Sequence, residues 1–179
     1  MKKTLTAILL SISFSASAAS YVSVDAESVK GLKGGASSTA QYFRAGTELA
    51  GLQWDLQNRT ARFERGAGLI NSTELTTGKK FGLVTPFAGA GYDAGFNGKG
   101  QFSYGLIGAK TGLQVGPGYA LAGLKTRVGS TESTPTKQTV VFSTYSIPVT
   151  KTVSFNLNAS KSFQTIKENA FGVGLGFSF

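Results

Sequence analysis

Asp25 and Glu27 stand two residues apart in the stretch "YVSVDAE". On an extended strand that spacing puts both carboxylates on one face ~7 Å apart, a separation at which two carboxyl groups can share acid–base work. The same residues suit a second use. In a narrow polar interior they would pair, together with Glu48 and Asp55, with Arg44 and Arg59, because charge left unpaired in such a space is costly. The charge network is the expected reading. The remaining chemical inventory is thin, since the 179 residues include no histidine and no cysteine. That removes Ser-His-Asp and Cys-His nucleophiles and the usual zinc ligand sets. No catalytic residue, metal ligand or cofactor is therefore expected, and no local motif supports a Ser-Lys pair. "GAGYDAG" places Gly89, Gly91 and Ala94 in a G-x-G-x-x-A spacing. The dinucleotide fingerprint needs a helix to begin there, whereas the turn-forming "GFNGKG" follows. These glycines are expected instead on a strand, facing crowded interior side chains.

The elements that must position these residues are strands. In "YVSVDAE", Val22, Val24 and Ala26 oppose Ser23, Asp25 and Glu27; in "FRAGTEL", Phe43, Ala45, Thr47 and Leu49 oppose Arg44, Gly46 and Glu48. "LQWDLQNR" and "VSFNLNAS" alternate in the same way, and acids and arginines sit mid-segment between apolar neighbours. Less regular segments cover 72–81, 87–96, 101–113, 119–127 and 138–147. With the last segment the count is ten, eight being the alternative, each near the ~9–11 residues that a tilted membrane strand needs. The expected fold is all-β, a closed antiparallel transmembrane barrel. A composition of 24 glycines, 4 prolines and no cysteine is unlike a disulfide-stapled secreted domain. "MKKTLTAILLSISFSASA" has the two lysines, the apolar run and the Ala16-Ser17-Ala18 site of a secretory signal peptide. Residues 1–18 are thus expected to be removed and 19–179 to form the barrel.

The closing segment "AFGVGLGFSF" sets Phe171, Val173, Leu175, Phe177 and Phe179 on one face and glycines with Ser178 on the other. With the signal peptide, the alternation and "TPFAGAGYDAG", it resembles the small outer-membrane barrels of the OmpA and OmpX type in Gram-negative bacteria. The resemblance implies a bacterial outer-membrane location and even strand number with both termini periplasmic. It also implies that those five residues are the signal read by the outer-membrane assembly machinery. No peptidoglycan-binding domain is expected after the barrel. An aromatic girdle is expected from Trp54, Tyr119, Tyr145, Phe177 and Phe179. In such a setting the N-x-S/T triplets at Asn58, Asn71 and Asn158 carry no glycosylation meaning.

Under this orientation turns lie near Ala50, Leu83, 116–118 and 147–151. Lys30, Lys33, Arg62, Arg65, Lys99, Arg127, Lys137, Lys161 and Lys167 then form an external basic rim facing lipopolysaccharide phosphates. An exported basic chain has an anionic surface as its partner rather than nucleic acid. The first expectation is a structural or surface-interaction role in contact with outer-membrane lipid and lipopolysaccharide. The alternative is a narrow passive pore for small solutes, which ten strands would favour because an eight-stranded barrel is just filled by its own side chains. A lipid-modifying enzyme is the remote third reading. Solute, receptor and oligomeric state are not specified by the sequence.

Overall fold

A computed structural model describes residues 20–31, 37–63, 69–95, 101–131, 134–164 and 167–179. The segment expected to be a signal peptide, Lys33, Arg65 and Lys99 lie outside the described residues. Ten strands follow in chain order: β1 (Tyr21–Gly31), β2 (Ser38–Leu49), β3 (Leu52–Phe63), β4 (Leu69–Gly78), β5 (Val84–Gly95), β6 (Phe102–Val115), β7 (Gly118–Thr131), β8 (Thr134–Pro148), β9 (Val153–Gln164) and β10 (Glu168–Ser178). Each pairs antiparallel with its sequence neighbours, and β10 returns to β1, so the sheet closes into a barrel with no free edge. The ten-strand expectation holds, with β6 to β8 reaching 14 and 15 residues, longer than the alternation suggested.

One end of the barrel is built from tight turns. Ala50 (φ 54°) and Gly51 (φ 72°) link the paired Leu49 and Leu52, and positive φ at both positions is what a two-residue type I′ hairpin requires. Gly116 (φ 55°) before Pro117 makes the corresponding turn between β6 and β7. In bacterial barrels the short turns are periplasmic and the opposite end is extracellular. Both described ends of the chain lie at the turn end. There Ser20 N–H donates to Phe179 O at 3.2 Å and Phe179 N–H donates to Ser20 O at 3.1 Å. The seam between β1 and β10 is thus bonded to its last residue.

Side chains alternate strictly across the wall. On β1, Ser23, Asp25, Glu27 and Val29 are buried, while Val24 is exposed. On β10, Phe171, Val173, Leu175 and Phe177 all point out, and the inward face is glycine. That glycine face is a packing requirement: a Cβ at Gly174 would meet Asp25 and the Val24 carbonyl, and one at Gly172 would meet Glu27. Gly91 likewise accommodates the Tyr104 ring, so the "GAGYDAG" glycines line a crowded interior. Exposed apolar residues such as Leu75, Ile107, Leu124, Val141 and Leu175 form the outward band. Lipid satisfies no backbone group, so a closed sheet with an apolar exterior and polar interior is the β solution to crossing a bilayer. Tyr119 departs from the expected girdle, because the register puts it on the inward face, packed against Gly112.

Candidate functional site

The lumen is organised in three ion-pair groups. Arg44 on β2 meets both carboxylates of β1: Nη1 donates to Asp25 Oδ2 at 2.9 Å and Nη2 to Glu27 Oε1 at 3.3 Å. Ser23 and Asn158 add hydrogen bonds to Asp25, and Arg44 Nε donates to Gln57 Oε1 at 3.4 Å. Arg44 also stacks on the Tyr42 ring at 4.6 Å, with Arg59 on the same ring at 5.8 Å. The second group centres on Glu74 of β4, which pairs with Lys125 and, at 2.5 Å, with Arg127, both on β7; Tyr104 donates its hydroxyl to the same carboxylate at 3.0 Å. Nearer the turns, Asp55 accepts from Lys110 at 2.6 Å and from Tyr21 at 2.8 Å.

Asp25 and Glu27 are bridged by one guanidinium, the arrangement of a charge network rather than of a free carboxylate pair. Of the six residues expected in the lumen network, Asp25, Glu27 and Arg44 form one cluster, Asp55 belongs to another, and Arg59 joins through the Tyr42 ring. Glu48 lies on the inward side of β2 near the turns, where it lines a cavity. Glu74, Lys110 and Lys125 were not anticipated. Arg127 requires a correction: it is not a rim residue but an inward one, because β7 continues to Thr131 and its alternation turns Arg127 toward Glu74.

The network lines the open part of the interior. A cavity of about 750 Å³ runs from the turn end up to the ion pairs, lined among others by Glu48, Gln53, Gln114, Arg44, Glu74 and Arg127. Towards the opposite end the wall closes on Val29, Ala40 and Ala61, which are nearly fully buried and packed against Tyr42 and Ala170. These apolar residues do not line the cavity.

The outer wall carries a different pattern. Every acid among the described residues, namely Asp25, Glu27, Glu48, Asp55, Glu74, Asp93 and Glu168, occupies an inward strand position. The charged residues at outward strand positions are all basic: Lys30, Arg62, Lys137 and Lys161, with Lys167 exposed just before β10. All five lie toward the end opposite the turns.

No family model and no curated protein matches this chain. Among solved structures, the translocator domain of the autotransporter NalP from Neisseria meningitidis is similar with a TM-score of 0.50 and 10% identity, over 94% of this chain and 90% of that one. This is a likeness of fold. The chain has the closed antiparallel β-barrel fold seen in that translocator domain. Neisserial surface protein A matches over 90% of this chain and 97% of its own (TM-score 0.46, 12% identity). The N-terminal β-barrel domain of Pseudomonas aeruginosa OprF matches over 89% and 97% (TM-score 0.41, 13% identity).

Proposed function

We propose that the barrel is a non-enzymatic structural protein of the outer membrane whose outward basic residues engage the phosphates of lipopolysaccharide. The observation that carries this reading is the sorting of charge by face. Acids are held inside by Arg44, Lys110, Lys125 and Arg127, while Lys30, Arg62, Lys137, Lys161 and Lys167 face outward or stand exposed toward the extracellular end. Ordinary solvation accounts for polarity but not for an excess of one sign at that end, where Glu64 and Glu132 are the loop acids. Absence of histidine and cysteine from the whole sequence supports the non-enzymatic part. The alternate outward residues Phe171, Val173, Leu175, Phe177 and Phe179 are proposed as the face that the assembly machinery recognises.

Each phosphate contact near a charged surface contributes about 1 kcal/mol and weakens with salt. Replacing Lys30, Arg62, Lys137, Lys161 and Lys167 together by Gln is expected to lower affinity for lipopolysaccharide and flatten its salt dependence, with folding in neutral detergent unchanged. Equal binding by the two proteins at low and high salt would refute the reading. A narrow pore is the second reading, favoured by the 750 Å³ cavity at the turn end. The Val29–Ala40–Ala61 cluster and the Arg44 and Glu74 ion pairs stand against it. Planar-bilayer recordings decide, and stepwise conductance by the wild type would put the pore first.

A further inference from the structure

Two of the N-x-T triplets in the sequence fall on adjacent strands and face outward. Asn58 and Thr60 alternate with the inward Gln57 and Arg59 on β3, and Asn71 and Thr73 alternate with the buried Ser72 and Glu74 on β4. The register sets Asn58 opposite Thr73 and Thr60 opposite Asn71. The four side chains form a closed reciprocal ladder. Asn58 Nδ2 donates to Asn71 Oδ1 at 3.0 Å and to Thr73 Oγ1 at 2.9 Å; Asn71 Nδ2 donates to Asn58 Oδ1 at 3.3 Å and to Thr60 Oγ1 at 2.9 Å. Each amide therefore spends its donors inside the ladder, which lets it persist on a wall without water. The remaining carbonyl lone pairs and the two threonine O–H donors are left for an external group.

The position of this ladder is unusual for the barrel. It lies seven to nine residues from the Gly51 turn, or roughly 18–23 Å along the axis at ~3.3 Å per residue and ~40° tilt. At comparable distances from the turn end, β5, β6, β7, β8 and β10 present the exposed Tyr92, Ile107, Leu124, Val141 and Phe171, whereas β9 presents Ala159 and Lys161, and the outward Thr126 and Thr139 of β7 and β8 hydrogen-bond to each other. Over β1 to β4 the corresponding outward positions are Ser28, Gln41, Phe43, which is in register with Asn58, and the ladder itself; above it stand Lys30, Thr39 and Arg62. Gln41 pairs in register with Thr60, and Thr39 with Arg62. Beside Phe43 the apolar band is thus interrupted over β1 to β4, and the interruption is topped by two cations with no described carboxylate on its outward face.

We infer that this strip is a docking site for the phosphorylated glucosamine headgroup of an outer-leaflet glycolipid. Hydroxyl and amide groups of the sugar would meet Gln41 and the ladder, and its phosphate would meet Lys30 and Arg62. A headgroup fits better than a second protein because the strip offers cations and, among the described residues, no acids, and because it lies in the part of the wall that faces the outer leaflet. The inference rests on the lipopolysaccharide reading but assigns it one place and one set of sugar contacts.

The test uses the folded barrel in neutral detergent, titrated with bisphosphorylated lipid A and with the same lipid chemically dephosphorylated. Three variants are compared: Asn58→Leu/Thr60→Val/Asn71→Leu/Thr73→Val, Lys30→Gln/Arg62→Gln, and Lys137→Gln/Lys161→Gln. The first adds apolar groups to a lipid-facing wall, and heat-dependent gel mobility verifies its folding. The expected result is about tenfold weaker binding of both lipids by the ladder variant, equivalent to about 1.4 kcal/mol. The Lys30/Arg62 variant should lose affinity for the phosphorylated lipid only, and the Lys137/Lys161 variant should lose less. If the ladder variant binds like wild type while Lys137→Gln/Lys161→Gln weakens binding, the strip is refuted and the general basic rim stands. If no variant weakens binding, both readings fail. A wild-type dimer in native mass spectra that the ladder variant abolishes would overturn the inference by making a second copy the occupant.

Discussion

Replacing Arg44 by Leu tests whether the lumen network holds the barrel together. Its guanidinium is the counter-charge of two carboxylates whose side chains are 0% (Asp25) and 4% (Glu27) exposed, and is itself 21% exposed. Removing one partner of such a pair typically costs ~3–5 kcal/mol, because the remaining charge is stranded. Here the lower end applies: the cavity admits solvent to Arg44, and Asp25 keeps donors from Ser23 at 3.0 Å and Asn158 at 2.9 Å. We expect a loss of about 3 kcal/mol for Arg44→Leu. Glu27 should carry most of it, since its Oε2 has no hydrogen-bond partner among the described atoms. Adding Glu27→Gln to Arg44→Leu should therefore restore more stability than adding Asp25→Asn. The outward neighbour supplies the control, because Phe43→Leu changes a lipid-facing side chain and should cost only about 0.5 kcal/mol. Equilibrium urea unfolding in lipid vesicles, followed by tryptophan fluorescence from Trp54, reads all four proteins. Equal losses for Arg44→Leu and Phe43→Leu, or no rescue by Glu27→Gln, would show that the ion pairs do not support the wall.

Glu74→Gln should cost a similar ~3 kcal/mol, since it leaves Lys125 and Arg127 together without their carboxylate; adding Lys125→Met should recover part of it in the same unfolding assay. Gly174→Val should prevent folding or shift the urea midpoint far down, because its side chain would occupy the space of Asp25 and the Val24 carbonyl. Gly105→Ala, with open space at its outward Cβ position, should leave the midpoint unchanged. Phe179→Ala should slow assembly into outer membranes more than Phe163→Ala, as measured by the rate at which heat-modifiable barrel appears.

The sequence was most legible where the two faces differ in both polarity and size. On β1, β2, β3 and β9, apolar residues alternate with charged or amide ones, and every anticipated lumen residue lies on the first three. On β4 the outward face carries Asn71 and Thr73, so polarity does not alternate and Glu74 has no pattern to stand out from. On β6 and β7 the inward face is partly glycine, at Gly108, Gly112 and Gly123, where a Cβ would strike Phe87, Tyr119 and Phe142. Hydrophobic period 2 fades there, and Lys110 and Lys125 go unnoticed. One usable signal was present. Lys125 and Arg127 have the same spacing as Asp25 and Glu27, which places them on one strand face, whereas ending the strand at Arg127 made that residue look like part of a loop. The partners of each charge depend on register between distant strands, and alternation within one strand contains no information about it.

Net charge illustrates what the fold adds. A formal +9 suggests a basic molecule throughout, yet at inward strand positions seven acids meet only Arg44, Arg59, Lys110, Lys125 and Arg127. Among the described residues the positive excess therefore lies at outward strand positions, at Lys167 and at the turn end rather than in the lumen. Two electrostatic systems result, separated by the thickness of one sheet. The inner one is largely buried and paired across strands; the outer one is exposed and screened by salt. Because they share no ion pair among the described residues, they should be separable by mutation. Arg44→Leu/Glu27→Gln should leave the affinity for lipopolysaccharide and its salt dependence as in wild type, even if the urea midpoint falls. Lys30→Gln/Arg62→Gln should do the reverse. A lumen variant that folds but changes the salt dependence of lipid binding would show that the two faces are coupled through the sheet, and would remove the basis for assigning the outward cations a separate role.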